Sequence, residues 1–157
     1  MRDILIASYD LEVGGVERSL ISMLNNFDYD NNKVDLMLYS HTGEFMDLIP
    51  KSPNLLDENK KYKTFRMSIA QTIKKGEILI GLSRLLARYK SKGNGIAQMQ
   101  YIWEYALPFL PKNYKKYDMA ISFLWPHYYV AEKVDANIKI AWCYLHLHLS
   151  KDRKSVV

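Results

Sequence analysis

The N-terminal part of the chain alternates between apolar runs and a helical pattern. Residues 4–7 form a short run that is apolar on both faces, which predicts a strand buried inside a parallel sheet. After the turn that ends in Gly14 and Gly15, apolar residues recur every three or four positions over 16–27, which predicts an amphipathic helix. A second apolar run at 34–39 predicts another strand. The order strand, helix, strand predicts a right-handed βαβ unit.

The rest of the chain continues this alternation. The expected segments are helices at 65–74, 77–90, 96–107 and 128–134 and strands at 118–124 and 138–143. Strands that alternate with helices predict an α/β fold, here a Rossmann-like doubly wound parallel sheet. We expect one domain over 1–149, followed by a polar tail or truncated linker over 150–157.

The composition is typical of a globular domain, since 48% of the 157 residues are hydrophobic and 25% are charged. It excludes a disordered, collagen-like or low-complexity chain. No apolar run reaches the roughly 18 residues of a membrane-spanning helix, and the N-terminus has no signal-peptide core, so we expect a cytoplasmic protein. The single cysteine, Cys143, excludes a disulfide framework and a multi-cysteine metal site, and no metal is predicted.

The net charge of +5 is concentrated in one part of the chain, which we call the basic segment, residues 60–92. This segment holds ten Lys or Arg residues and one acidic residue, Glu77. One interpretation is a face toward anionic lipid, with Ile and Leu side chains pointing inward or dipping into the interface. That face would present Lys74, Lys75, Arg84 and Arg88.

Two other interpretations fit the same charge pattern. A nucleic-acid surface would interleave aromatic residues with the charges, and the segment offers only Tyr62, Phe65 and Tyr89 for stacking. No nucleic-acid partner is therefore predicted. A solvated helix face would have no specific partner at all.

The glycine turn Gly14–Gly15 follows the first strand, where open parallel sheets bind their ligands. Without a Cβ, backbone amides can approach an anion, and the start of the next helix adds partial positive charge. The spacing is not that of a dinucleotide fingerprint, because Leu11 and Glu12 stand where that pattern has glycine, and it is not a P-loop. The residues alone leave both an anion cradle and a tight turn without ligand open.

Four motifs occur in order along the chain. The first motif is the apolar run 4–6 followed by Gly-Gly-Val-Glu-Arg at 14–18, and the second is Val-Asp-Leu at 34–36 followed by residues 43–50. The third is Asp-Met-Ala-Ile-Ser-Phe at 118–123, and the fourth is Lys-Ile-Ala-Trp at 139–142. Together they resemble the N-terminal domain of the GT-B glycosyltransferases of family 4. The resemblance spans nearly the whole chain.

The resemblance implies a retaining transfer of a sugar from a nucleotide-sugar donor to an acceptor, without a further cofactor. In that architecture two Rossmann-like domains face each other across a cleft, and this chain would be the acceptor-side half. Gly14 and Gly15 would reach the donor phosphate. The missing C-terminal domain would hold most of the nucleotide site, so we expect these 157 residues alone to transfer no sugar. The acceptor would be a polysaccharide or lipid-linked glycan, at the inner membrane leaflet.

Other candidate residues have two interpretations each. His127 follows a predicted strand, and the resemblance implies a catalytic role there, whereas a loop histidine at a helix start is the alternative. Glu17 and Arg18 either bind substrate hydroxyls or phosphate, or they simply lie in the first helical turn, where the glutamate suits the helix dipole. His146 and His148 share one strand face, either as a structural pair or, without a supporting carboxylate, as metal ligands.

A function of a different class is also compatible with the sequence. The chain would then be a non-catalytic α/β binding module that docks on an anionic membrane or a partner protein through the basic segment.

Overall fold

The computed structural model of the protein describes residues 1–123 and 127–142, without the side chain of Ile96. The elements are β1 (Arg2–Ser8), α1 (Gly15–Asn25), β2 (Asn32–Leu38), β3 (Asn54–Leu55), α2 (Lys60–Lys63), α3 (Ile69–Lys74), α4 (Ile78–Ser91), α5 (Gly95–Ala106), β4 (Asn113–Phe123), α6 (His127–Lys133) and β5 (Val134–Trp142). Short 3-10 turns lie at Glu44–Leu48, Thr64–Arg66 and Leu107–Phe109. The predictions for Cys143, His146, His148 and the tail 150–157 lie outside the described residues.

The strands form one five-stranded sheet in the order β3-β2-β1-β4-β5, and every neighbouring pair is parallel. Helices flank this sheet, so the predicted α/β, Rossmann-like fold is confirmed. On the central strand β1, Ala7 lies opposite Met37 of β2 and Ser122 of β4. Ile4 to Ser8 are all buried, because this strand is covered on both faces.

Successive side chains of β1 enter two different cores. Ile4 and Ile6 pack with Leu20 and Leu24 of α1. Leu5 and Ala7 point to the opposite face, into a core that is rich in aromatic residues. That second core contains Tyr39, Tyr62, Trp103, Tyr117 and Tyr129. Helix α1 therefore covers one face of the sheet, and the segments from α2 to α6 supply the other.

The outer strands depart from the predicted bounds. β4 begins at Asn113 and β5 at Val134, several residues before the predicted strands at 118–124 and 138–143. The added residues of β4, including Lys115 and Lys116, are mostly exposed, and β5 is an edge strand. Partly exposed strands have no apolar run, so their polar ends give no strand pattern. The short strand β3 was missed for the same reason.

A buried carboxylate joins the inner strands near their amino ends. Asp35 of β2 accepts hydrogen bonds from Asn54 Nδ2 (2.8 Å), Lys115 Nζ (2.9 Å) and the Tyr117 hydroxyl (2.9 Å). Burial by itself would raise the pKa of Asp35, but these hydrogen bonds outweigh it and lower that pKa. Burial also raises the pKa of Tyr117 to about 12. The network stabilises the contact of β2 with β3 and β4.

Asp35→Asn is expected to lower the free energy of unfolding by about 1.5–3 kcal/mol near neutral pH, because Lys115 and Tyr117 lose a charged acceptor. Denaturant unfolding measures this, with Asp135→Asn, an exposed strand aspartate, as the control. The folded pKa of Asp35 is below the ordinary 3.8, so its stabilisation is present above 3.8 and is lost as pH falls through the folded value. The difference between wild type and Asp35→Asn should therefore shrink in acid, and a difference that persists there would contradict the assignment.

Candidate functional site

The strand order reverses between β1 and β4, since the chain builds β2 and β3 on one side of β1 and β4 and β5 on the other. In open parallel sheets, ligands bind outside the carboxyl ends of the strands at such a reversal. The loop that leaves β1 contains Gly14, and α6, which follows β4, begins at His127. We call this place the switch-point crevice. The glycine turn and His127, two of the predicted site features, thus flank the switch-point crevice.

The glycine turn opens toward solvent on one side only. Gly14 precedes α1 with extended backbone (φ −165°, ψ 168°) and makes no side-chain cap. A Cβ on Gly14 would overlap the Glu17 carboxylate, which folds back over the turn. A Cβ on Gly15 would meet no atom within 4 Å. The Gly15 side is therefore open, and an anion at the Gly14 side would displace Glu17, because the two negative charges repel.

Arg18 is exposed in the first turn of α1, while Glu17 is half-buried. Both residues belong to the same turn as Gly14 and Gly15, so the structure keeps these four predicted residues together. The Glu17 carboxylate also lies near the positive end of the helix dipole, the structural role that the sequence left open for it.

The loop after β2 contacts the loop that leads from β1 to the glycine turn. The Leu11 N–H donates to the Thr42 carbonyl and the Phe45 N–H donates to the Leu11 carbonyl, both at 3.0 Å. Gly43 lies between these contacts with φ 116°, and a Cβ there would overlap the Leu11 carbonyl. The loop after β2 thus contacts the loop after β1 backbone to backbone, which only a glycine at position 43 allows.

The loop after β1 also contains a buried acid. Asp10 is buried and forms an ion pair with the Arg66 guanidinium. That guanidinium carbon lies 5.2 Å from the ring centre of Tyr9, and Glu12 is a further acid, 3.8 Å from Arg66. From the sequence alone, residues 9–12 belong to a turn and Arg66 belongs to the basic segment, so the ion pair of Asp10 with Arg66 is not predicted. An acid two residues after a buried strand is the signal that was available for Asp10.

His127 hydrogen-bonds through Nδ1 to the hydroxyl of Ser122, the buried residue of β4 that faces it. The Ser122 hydroxyl is also 3.4 Å from the Ile140 carbonyl. Burial lowers the pKa of His127, which favours the neutral imidazole near pH 7. A hollow of about 280 Å³ adjoins the pair and is lined on its far side by Lys139 and Ile140. A neutral imidazole beside such a hollow can accept a proton from a bound hydroxyl.

An aromatic hollow of about 230 Å³ lies beside Tyr9, the residue that follows β1. Phe65 and Trp103 stack on each other with ring centres 4.9 Å apart and form one wall. Met99, Ile102 and Arg84 complete the lining. Burial raises the pKa of Tyr9, although Arg66 and Arg84 oppose this shift. The hollow is mostly apolar with cationic groups near it, and the sequence analysis did not find it.

Arg84 does not occupy the position that a membrane face requires. Its Nη1 donates to the Thr64 and Met67 carbonyls, both at 2.8 Å, and lies 3.1 Å from Thr72 Oγ1. Burial lowers the pKa of Arg84. The guanidinium therefore holds the chain between α2 and α3 against α4 and is directed inward, away from lipid.

Lys74, Lys75 and Arg88 are exposed, as a surface role requires. The aliphatic residues of α4 are also exposed. We call this set the outer face of α4: it comprises Ile78, Leu79, Leu82, Leu85, Leu86 and Tyr89. From the sequence, the Ile and Leu residues of this segment are expected to point inward or to dip into a membrane interface. In the structure these six residues point outward.

Within residues 1–123 and 127–142, no group of three or more His, Cys, Asp or Glu side chains is arranged to hold a metal ion. In the same part of the chain, no helix is long and apolar enough to cross a membrane. A scan against family models finds none that matches the chain, and comparisons with curated proteins and with solved structures find no match. The structure shows the fold, and the resemblance to glycosyltransferases stays a prediction.

Proposed function

We propose that the chain is the acceptor-side domain of a retaining GT-B glycosyltransferase, which moves a sugar from a nucleotide-sugar to a glycan or glycolipid. The observation that carries this proposal is the switch-point crevice, with the open glycine turn on its β1 side and the Ser122–His127 pair on its β4 side. This arrangement agrees with the order of the motifs that resemble those of family 4. A second α/β domain holds the donor base and ribose in this proposal.

The glycine turn supplies the contact to the donor in this proposal. The first N–H groups of α1 point out of the helix start, where the helix dipole favours a phosphate. The open space at Gly15 admits that phosphate, and Glu17 swings away as it binds. Arg18, exposed in the same turn, adds a positive charge or a hydrogen bond to a sugar hydroxyl.

The acceptor lies on the other side of the crevice in this proposal. The neutral imidazole of His127 orients the attacking hydroxyl and takes its proton, and Ser122 holds the ring through Nδ1. The aromatic hollow beside Tyr9 receives an apolar part of the acceptor, because its lining of Phe65, Met99, Ile102 and Trp103 is mostly apolar. An amphiphilic acceptor such as a lipid-linked glycan fits this combination.

The test is transfer of labelled sugar from a panel of nucleotide-sugars to membrane lipids and glycans by the full-length gene product. Gly15→Val should lower turnover by roughly tenfold or more, because the added side chain fills the space proposed for the phosphate, and orientation of the donor is lost. Gly95→Val is the matched control. Gly95 is likewise the first residue of a helix, and a Cβ there also meets no atom within 4 Å.

Both valine variants should stay within about 1–2 kcal/mol of the wild-type free energy of unfolding, since a Cβ at either position meets no atom within 4 Å. Equal turnover of Gly15→Val and Gly95→Val would contradict the role of the glycine turn. Calorimetry adds a second measurement on the 157 residues alone, for which we expect weak or no binding of nucleotide-sugars. Micromolar binding would place the donor site in this domain and contradict the two-domain proposal.

The outer face of α4 favours a second candidate function, a binding module that docks through the basic segment without catalysis. Six exposed apolar residues on one helix are unusual on a surface without a partner. Sugar transfer by the full-length product separates the two candidates, since a binding module transfers none.

A further inference from the structure

Helix α4 has its apolar residues on the wrong side for a core helix. Its buried positions are Ile80, Gly81, Ser83, Ala87 and Ser91, of which only one is a large apolar residue. The outer face holds five aliphatic side chains that are each 50–56% exposed, together with Tyr89 at 84%. These six residues cover about a third of the helix circumference, because they recur at spacings of three and four.

The inner face of α4 is already satisfied by specific contacts. The Ser83 hydroxyl lies 2.7 Å from the Leu79 carbonyl and 3.0 Å from the Tyr105 carbonyl, which belongs to α5. At Gly81 a Cβ would overlap the Ile73 side chain, so α3 packs directly on the helix backbone. The Arg84 guanidinium hydrogen-bonds the segment before α3. Rotation of α4 to bury its leucines would break the contacts with α5, with α3 and with the segment before α3, and would leave only the Ser83–Leu79 hydrogen bond, which lies within α4.

The apolar surface extends beyond the helix itself. Leu79, Leu82 and Leu86 form one wall of a groove of about 370 Å³, and Pro108 and Phe109 line the side opposite. Five exposed cationic residues are close to the outer face in the sequence, and one of them, Lys90, donates its Nζ to the Tyr105 hydroxyl of α5 (2.6 Å). The five are Lys74 and Lys75 at the end of α3 and Arg88, Lys90 and Lys92 at the end of α4. Two acids also belong to this region: Glu77 precedes α4, and Glu104 of α5 lines the groove.

The charge pattern indicates which of two partners, a second copy of the chain or a lipid bilayer, binds the outer face of α4. In a two-fold dimer the same surface of both copies would meet, so two sets of five cationic residues would be brought close together and their repulsion would oppose the apolar contact. An anionic bilayer satisfies both features, because head groups attract Lys and Arg while the leucines enter the acyl boundary. With 14 residues, α4 is only about 21 Å long and suits a position parallel to the membrane plane.

We infer that the outer face of α4 is a membrane-docking surface that inserts its leucines into the interface of an anionic bilayer. Lys74, Lys75 and Arg88 contact lipid head groups, and Tyr89 anchors the exposed helix end at the interface, where tyrosine is enriched. Arg84 takes no part, because it is bound inside the domain. The inference rests on this surface alone and applies to either proposed function, since vesicle binding and sugar transfer are measured separately.

The test is flotation of the purified protein with vesicles of phosphatidylcholine, with and without phosphatidylglycerol. Binding should require phosphatidylglycerol and should fall as salt is raised. The double variant Leu82→Gln with Leu85→Gln should bind roughly tenfold to a hundredfold more weakly, because two half-exposed leucines no longer enter the bilayer. Tyr89→Gln is a second variant, whose side chain is too exposed to affect folding.

The matched control is Leu48→Gln with Ile138→Gln, because these side chains are 52% and 53% exposed on other elements. This control should bind vesicles as wild type does. If the Leu82/Leu85 variant binds vesicles as strongly as the wild type, then electrostatic attraction alone explains the binding, and the proposed insertion of leucines is wrong. Failure to bind any vesicle would also overturn it, and a dimer that the same variant dissociates would assign the face to a second copy of the chain.

Discussion

If the proposed sugar transfer is correct, replacing His127 with glutamine is expected to lower its turnover by a factor of roughly 10² to 10⁴, the usual contribution of a positioned general base. Glutamine keeps a polar side chain at the start of α6 but cannot accept the proton. His41→Gln is the control, since His41 follows β2, which lies on the opposite side of β1 from β4. Loss of turnover in both variants alike would contradict a specific role of His127.

The pH dependence gives an independent readout of the same residue. Burial lowers the pKa of His127 below the ordinary 6.5, and protonated imidazole cannot act as a base. Turnover of the wild type should therefore stay constant down to a pH below 6.5 and fall as pH decreases further. Ser122→Ala removes the hydrogen bond to Nδ1 and should reduce turnover less than His127→Gln does. If turnover of the His127→Gln variant falls at the same low pH as turnover of the wild type, then a group other than His127 causes this loss of turnover.

Replacing Gly43 with alanine is expected to lower the free energy of unfolding by about 3–5 kcal/mol, one of the largest effects of a single methyl group in this domain. The added Cβ would overlap the Leu11 carbonyl, and φ 116° is unfavourable for any residue with a Cβ. The loop after β1 must then move, and with it Asp10 and the glycine turn. Denaturant unfolding measures the loss.

Gly76→Ala separates the two causes of this effect. Gly76 also has positive φ, 90°, but a Cβ there meets no atom within 4 Å. Its replacement should cost only the backbone strain, about 1–2 kcal/mol. If both alanine variants lose equal stability, the close approach of the two loops is not what requires glycine at position 43.

The βαβ unit at the start of the chain could be predicted in detail from the sequence. β1, α1 and β2 carry their pattern locally, because the strands are buried on both faces and the helix presents one apolar stripe. The same reasoning places Gly14 and His127 at strand ends, which in a parallel sheet meet at one edge. No comparison of distant residues is needed for either result.

The candidate site required the tertiary structure. Asp10 meets Arg66 across a long stretch of chain, and Phe65 stacks on Trp103 of another helix. Such contacts depend on strand order and on how each helix is rotated about its axis. The hydrophobic periodicity of one segment indicates neither the strand order nor the rotation of a helix. The pairing of Ser122 with His127 likewise depends on the position of α6 over β4.

The sequence by itself thus determined the α/β class, the alternation of strands and helices, and the location of the glycine turn. Only the tertiary structure decided that Arg84 points inward and that the leucines of α4 point outward. The physical reason is that an apolar stripe shows that a helix is amphipathic but does not show what covers it. In this domain Ser83, Arg84 and Gly81 make specific contacts with α5, the chain between α2 and α3, and α3, and these contacts set the rotation of α4 against its hydrophobic pattern.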